Sequence, residues 1–451
     1  METKRNSFTS KIGFVFAAAG SAVGLGNLWR FPYLAAKYGG GIFLLTYIIL
    51  AVTFGFTLMV AEIAIGRKTG KSAIEAYGQL NNKWGFIGKM TAIVPMIILP
   101  YYCVIGGWVT KYFSVYLLGN GSVAAGDTYF GDFISKPVEP IIWLLVYIAA
   151  TAIIVMLGVE KGIEKFSKIL MPVLVVLSVG IAIYTITLDG ATEGVKYYFM
   201  PDFSKFSVMT VLGALGQLFY SMSIAMGIMI TYGSYMPKEA NIEKSVHQIE
   251  LFDTGIAMVA GLMIVPSVFV FTGGDEAKLQ AGAGLMFEML PKIFDSMPFG
   301  SIIGFVFFLL VFFAALTSSI SLMETVVSIL RDKFNIPRIR TCLVVLVGCI
   351  ILALPSSLGY GHWDGVKILG LSILDFFDFL SNSVIMPIVA FLTCIFVGFI
   401  VKPSVITNEV KLAGKFKQEK FFTVMIKYIA PFCILAILIS SVLNGLGIIK
   451  I

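Results

Sequence analysis

Apolar runs of about 17 to 25 residues recur from one end of this chain to the other. A helix rises 1.5 Å per residue, so each run is long enough to cross a hydrocarbon core of about 30 Å. Lipid offers no water to solvate backbone groups, so a chain with this pattern folds as a bundle of helices that bond internally. Composition agrees: 58% of the 451 residues are hydrophobic and 13% are charged, against about 25% charged in soluble domains. The expected class is an all-α polytopic membrane protein.

Other classes are excluded by what is missing. The five cysteines (Cys103, Cys342, Cys349, Cys394, Cys433) lie in apolar segments without paired loop spacing. They read as small buried hydrophobes, not a disulfide framework or a metal site. Two histidines, His247 and His362, are too few and too far apart for a metal centre. The opening METKRNSFTSKIG is polar and leads straight into the first apolar run, unlike a cleavable signal. The net charge of +7 needs no nucleic-acid partner, because membrane topology accounts for it.

Hydropathy predicts eleven spans, numbered here in chain order: 11–37, 41–66, 88–118, 141–157, 167–188, 208–236, 246–273, 299–330, 341–355, 368–401 and 421–447. With the N-terminus inside, the six inner segments hold 23 of the 33 lysines and arginines. The positive-inside rule therefore places the N-terminus in the cytoplasm of a cell (plasma or inner) membrane, and the odd count places the C-terminus outside. No connecting loop exceeds about 25 residues, so residues 1–451 form one integral domain.

Two spans are irregular. Span 1 holds AGSAVGLGNLWRFPY (residues 19–33), with Gly20, Gly24 and Gly26 followed by Asn27, Arg30 and Pro32, and span 6 holds YSMSIAMGI. They open two successive five-span blocks, about 11–188 and about 208–401, and five spans invert the block that follows; span 11 is an addition. A break frees carbonyls and amides that lipid cannot satisfy, so it survives where it lines a polar cavity or binds an ion. Half-helix N-termini attract carboxylates and unwound carbonyls coordinate sodium. Span 8 adds FFAALTSSISLMET, with hydroxyls on Thr317, Ser318 and Ser319. Any one such stretch alone reads as close helix packing. Three together, with Asn27, Arg30 and Asp253 inside spans, point to function.

GSAVGLGNLWRFPYLAAKYGGGIFLLTYII resembles the opening of the neurotransmitter:sodium symporter family. The resemblance continues in family order through GQLFYSMSIAMGIMITYGSYM, FFAALTSSISLMETVVSILRDKF and LDFFDFLSN, covering spans 1 to 10. Eleven spans resemble a bacterial subgroup rather than the usual twelve. The resemblance implies a LeuT-like fold of two inverted five-helix repeats, with helices 1 and 6 broken and an eleventh helix added. It implies sodium-coupled symport of an amino acid by alternating access, not enzymatic activity.

By the same resemblance, one sodium is held by the Ala22 carbonyl, Asn27, Ser221 and the position of Asp253, with the substrate carboxylate as a further ligand. A second lies between the Gly20 and Val23 carbonyls and Ala314, Thr317 and Ser318. Oxygen donors of these kinds suit a hard cation. The implied substrate pocket is Ser21, Ala22, Leu25, Gly26, Ile98, Tyr102, Tyr220, Ser221, Ser223, Met226, Ser318 and Leu322. Tyr102 matches a tyrosine that bonds the substrate carboxylate, although the GGW that follows departs from the bacterial pattern. Tyr220 stands where the family has a phenylalanine lid. Arg30 and Asp378 match an outer gate pair. Arg5 and Asp332 match an inner pair, with Phe8 where tryptophan is common and Tyr235 nearby. Gly162, ten positions before Pro172, resembles a spacing associated with local unwinding of span 5. Glu62 is expected to bond the unwound part of span 6.

The resemblance also bears on substrate. Monoamine carriers have an aspartate at the position of Gly24, so here the substrate must bring its own carboxylate. Leu25 leaves little room for a backbone longer than an α-amino acid, and Ile98, Met226 and Leu322 make the side-chain end apolar. A neutral, hydrophobic or aromatic L-amino acid is expected. Tyr47, Gln217 and Ser221 resemble parts of an anion site, but Asp253 supplies a fixed carboxylate there, so chloride is not expected to be needed. A non-transporting amino-acid receptor or sensor is the rival reading, and intact ion ligands and gates argue against it. An intramembrane enzyme would need a nucleophile and base in reach, and a channel would not need gates at both ends of a pocket. The expected partners are the amino acid and the lipid bilayer, with no nucleic acid; a homodimer is left open.

Overall fold

The computed structural model describes residues 7–273 and 283–445, and among them the secondary structure is helical apart from two isolated bridges. Among the described residues nine helices are long and apolar enough to cross a membrane: Gly41–Thr69, Asn82–Leu117, Glu139–Met156, Val159–Ile186, Ile242–Thr272, Gly300–Phe334, Arg338–Leu358, Ile373–Ile400 and Glu419–Ser440. Span 1 is a pair, Lys11–Ala22 and Gly26–Lys37, bent by 53°. Span 6 is two short helices, Val208–Ser221 and Ile228–Ser234, separated by residues 222–227. Ten of the eleven expected spans are thus matched by a crossing-length helix or the bent pair, the sixth being two short helices, and both breaks fall where the glycine- and serine-rich stretches place them.

The helices run past the apolar windows where their ends are charged. Span 5 starts at Val159 rather than 167 and span 3 at Asn82 rather than 88, because long basic side chains keep their heads in water while the helix continues. Local chemistry sets several ends. The Ser10 hydroxyl accepts from the Gly13 amide at 3.1 Å to start span 1, and Ser207 and Thr210 form a capping box at the start of span 6. Asn241 caps span 7 through the Lys244 amide at 2.9 Å, satisfying an amide that the helix leaves unbonded. Short connecting helices such as Ala73–Leu80, Ala191–Phe199 and Pro403–Lys411 escape hydropathy windows, being brief and two-faced.

Span 3 is central, with 83% of its apolar window buried, whereas spans 5, 9 and 11 stand at the rim with 39%. The second half of span 6 lies against span 2 backbone to backbone. A Cβ at Gly66 would come within 1.9 Å of the Ile230 carbonyl oxygen, and one at Gly233 within 2.4 Å of that of Ile63. Small residues allow this approach, which in lipid replaces the hydrophobic drive that water would supply.

Candidate substrate and ion site

Span 1 stops at Ala22, and Asn27 holds the break that follows. Its Oδ1 accepts from the Gly24 amide at 3.1 Å. Its Nδ2 donates across to span 7, to the Asp253 carbonyl at 3.1 Å and to Asp253 Oδ1 at 2.8 Å. Ser221, at the last turn before the span 6 break, donates to Asp253 Oδ1 at 2.6 Å, and the Tyr47 hydroxyl donates to Oδ2 at 3.2 Å. Spans 1, 2 and 6 thus converge on one fully buried carboxylate. Asn27, Ser221 and Asp253, the three side chains expected at one sodium, are brought together, and Ala22 ends the helix beside them. Gln217 donates to the Gly26 carbonyl at 3.0 Å.

The second expected set is placed less uniformly. The Ser318 hydroxyl donates to the Ser21 carbonyl at 3.1 Å and the Gly20 carbonyl at 3.4 Å, drawing span 8 onto the unwound part of span 1. Thr317 lies against Gly20, where a Cβ would be 3.2 Å from the Thr317 Cβ. Its hydroxyl bonds within span 8, to the Phe313 and Ala314 carbonyls, both at 3.1 Å. Val23 donates its amide to the Ala19 carbonyl at 2.7 Å. Ser319 turns away, to Tyr147 at 3.0 Å and Thr151 at 2.9 Å on span 4. Among the described residues no group of three or more His, Cys, Asp or Glu could hold a metal. A cation at this second place would meet carbonyls and hydroxyls, and one at the first would also meet the Asn27 amide and the Asp253 carboxylate, oxygen donors that suit a hard ion.

The break of span 6 carries backbone strain. Ser223 and Ala225 have φ of 53° and 64°, a left-handed conformation that Gly227 shares at 77°; it costs a side-chain-bearing residue about 1–2 kcal/mol. Two contacts hold it. The Ser223 hydroxyl donates to the Ser21 carbonyl at 3.0 Å, and the Ala225 amide donates to Glu62 Oε1 at 2.7 Å. Glu62, 1% exposed, takes the role expected of it, while its Oε2 has no partner among the described residues.

Between the two breaks lies a small cavity. All twelve expected substrate residues line it (Ser21, Ala22, Leu25, Gly26, Ile98, Tyr102, Tyr220, Ser221, Ser223, Met226, Ser318 and Leu322), joined by Gly24 and Ile228. Ile228 gave no signal in the sequence, being an ordinary apolar residue after a glycine. The Leu25 amide donates to the Tyr102 hydroxyl at 3.4 Å. A Cβ at Gly24 would sit 2.6 Å from the Ser318 hydroxyl and 3.1 Å from that of Tyr102. The cavity measures about 30 Å³, room for about one water, so the walls must part to admit an amino acid.

On the far side of Tyr220 opens a larger cavity of about 340 Å³, bordered by Trp29, Arg30, Trp108, Tyr360, Asp375 and Asp378 among others. The Arg30 guanidinium lies 5.3 Å from the Tyr220 ring centroid. Asp378 accepts from Asn382 at 2.7 Å. Arg30 and Asp378 face the same space, yet they are not among the described ion pairs, all of which lie within 4.0 Å. Tyr360, unforeseen in the sequence, donates to Asp375 at 3.1 Å. Burial first, and then the Asp375 carboxylate, raise the pKa of this phenol, so it remains a neutral donor.

At the opposite end, Arg5 lies outside the described residues. Its expected partner Asp332 accepts from the Ser72 amide at 2.7 Å. Phe8 is buried edge-on against Phe14 and Tyr232, and its amide donates to the Tyr235 carbonyl at 3.1 Å. Tyr235 donates to Glu324 at 2.8 Å, and Glu324 pairs with Arg338. Thr9 and Ser10 donate to Glu164 at 2.7 and 2.8 Å, clamping the N-terminal segment to span 5. Gly162 sits in a widened turn, Val159–Glu164, and the helix continues through Pro172 without unwinding.

A helical bundle whose two interrupted spans meet at a buried, oxygen-lined pocket defines a secondary transporter. The chain matches the Sodium:neurotransmitter symporter family over residues 5–121 and 131–447. It is 34% identical to the sodium-dependent transporter YhdH of Bacillus subtilis over 98% of each chain. It is 33% identical to a sodium-dependent transporter of Haemophilus influenzae, over 97% of this chain and 98% of that one. The crystal structure of MhsT in complex with L-phenylalanine is similar at a TM-score of 0.88 and 37% identity, covering 97% of this chain and 100% of that one. The protein belongs to the sodium:neurotransmitter symporter family, whose members are sodium-coupled transporters and not enzymes, and it has the LeuT fold.

Proposed function

We propose that this protein carries a neutral, hydrophobic or aromatic L-amino acid into the cell together with sodium, by alternating access and without chloride. The observation that supports this most is the convergence of both helix breaks, Tyr102 and Ser318 on one pocket beside Asn27, Ser221 and Asp253. The substrate carboxylate sits by Tyr102 and the span 1 break and completes the shell of a first sodium, so ion and substrate bind as one unit. Asn27 Oδ1, although bonded to Gly24, keeps a second lone pair for the ion. A second sodium lies where Ser318 and Thr317 meet the Gly20 and Val23 carbonyls.

Substrate class follows from the walls. No side chain fits at Gly24 without displacing Ser318 or Tyr102, so the acid must come with the substrate. Ile98, Met226, Ile228 and Leu322 offer nothing to pair a charged side chain, and an unpaired buried charge costs several kcal/mol. The similar MhsT was crystallised with L-phenylalanine, an amino acid of this class. The positive-inside count puts the N-terminus in the cytoplasm; the Arg30 cavity is then the outer vestibule and Phe8 closes the inner side.

A non-transporting sensor would keep the pocket but need no inner closure, and the Phe8–Tyr235–Glu324 contacts favour transport. Competition against labelled L-phenylalanine binding in sodium tests the substrate class. Leucine, tyrosine and tryptophan should compete, and lysine, glutamate and dopamine should not. Displacement by the latter three alone would overturn the pocket reading.

A further inference from the structure

Among the described residues, Tyr220 alone lines both the small pocket and the larger cavity beyond it. Its ring presses on span 1, where a Cβ at Gly26 would come within 2.6 Å of Tyr220 Cδ1, and the Arg30 guanidinium lies over its face. Roofing a pocket and stacking beneath an arginine require only an aromatic ring, and a phenylalanine would do both. The hydroxyl is left without a task. Bordering the same cavity stands Asp378, fixed by Asn382 beside a widened turn of span 10, Phe379–Ile385, and not paired with Arg30.

Closing this cavity takes water away from a phenol, a guanidinium and a carboxylate at once. Groups left unpaired in a dry space are costly. A phenol-to-carboxylate hydrogen bond satisfies two of them and belongs to the strong, charge-assisted kind. The guanidinium can keep the ring face while turning a nitrogen to the same carboxylate, because it presents five donors in a fixed fork.

We infer that the Tyr220 hydroxyl is a third member of the outer gate: as the cavity closes it donates to Asp378, tying the lid of the pocket to the carboxylate that Arg30 meets. This rests on the proposed reading of the site as a gated amino-acid pocket. Lid and gate then open together, and the ring cannot swing off a bound substrate while the gate bond holds. Tyr220 acts here as a positioning residue.

Tyr220→Phe removes the hydroxyl and keeps the ring, and Asp378→Asn removes the charge and keeps the shape. Two readouts apply to purified protein: the rate at which labelled L-phenylalanine dissociates in sodium, and the rate at which a membrane-impermeant thiol reagent modifies Ala283→Cys in the cavity wall. Tyr220→Phe should dissociate phenylalanine about tenfold faster and label faster in sodium. Combined with Asp378→Asn it should be no faster than the faster single variant. Unchanged dissociation and labelling in Tyr220→Phe, or effects that multiply in the double variant, would overturn the inference. If the wild type binds no phenylalanine, the substrate reading alone fails. Labelling in sodium without substrate then decides the gate, and equal rates in wild type and Tyr220→Phe would refute it.

Discussion

Asn27 and Asp253 are joined twice, the asparagine amide donating to both the carbonyl and the carboxylate of the aspartate, at 3.1 and 2.8 Å. These bonds fasten the break of span 1 to the middle of span 7, so whatever binds at Asp253 acts directly on that break. The carboxylate also collects Ser221 and Tyr47. A fixed negative charge at this place can balance sodium beside a zwitterion.

Under the proposed function, transport should therefore not require chloride. Uptake should be equal in chloride and gluconate. Asp253→Asn should be inactive or become responsive to chloride, the added anion replacing the lost charge. Loss of wild-type uptake in gluconate would contradict this assignment.

The second ion set gives a separate expectation. Thr317→Val with Ser318→Ala removes two hydroxyls beside the Gly20 carbonyl and preserves side-chain volume closely. Half-saturation by sodium should rise at least about tenfold, about 1.4 kcal/mol of lost ion binding. Ser319→Ala, whose hydroxyl faces Tyr147 and Thr151, should leave sodium affinity within about twofold. Equal sodium dependence in the Thr317/Ser318 double variant and wild type would remove the site.

Gly24 should tolerate nothing larger. A Cβ there meets the Ser318 hydroxyl at 2.6 Å and the Tyr102 hydroxyl at 3.1 Å, so Gly24→Ala should weaken phenylalanine binding about tenfold or more. Isothermal titration in sodium measures it, and wild-type affinity in Gly24→Ala would show that Tyr102 and Ser318 do not frame the substrate.

Much of this site could be read from residue order because a broken membrane helix is chemically conspicuous: Gly24, Gly26 and Asn27 interrupt span 1, and Ser223 to Gly227 interrupt span 6. Where reading fell short, side-chain direction or sequence distance was the reason. Thr317, Ser318 and Ser319 are consecutive, but successive helical residues point about 100° apart, so Ser319 faces span 4. Ile228 is indistinguishable from lipid-facing apolar neighbours until the fold turns it inward. Glu164 meets Thr9 and Ser10 from more than 150 positions away, a separation that no local pattern encodes. The expected Arg30–Asp378 pair is not among the ion pairs of the described residues, although both side chains border one cavity.

Sodium-driven uptake is the decisive measurement for coupling. The protein is reconstituted in proteoliposomes and labelled L-phenylalanine is supplied outside, with an inward sodium gradient, then with potassium in its place. Uptake should be concentrative in sodium, collapse when the gradient is dissipated, and be absent in potassium. Phenylalanine binding without accumulation would identify a sensor, and equal uptake in potassium would contradict sodium coupling itself.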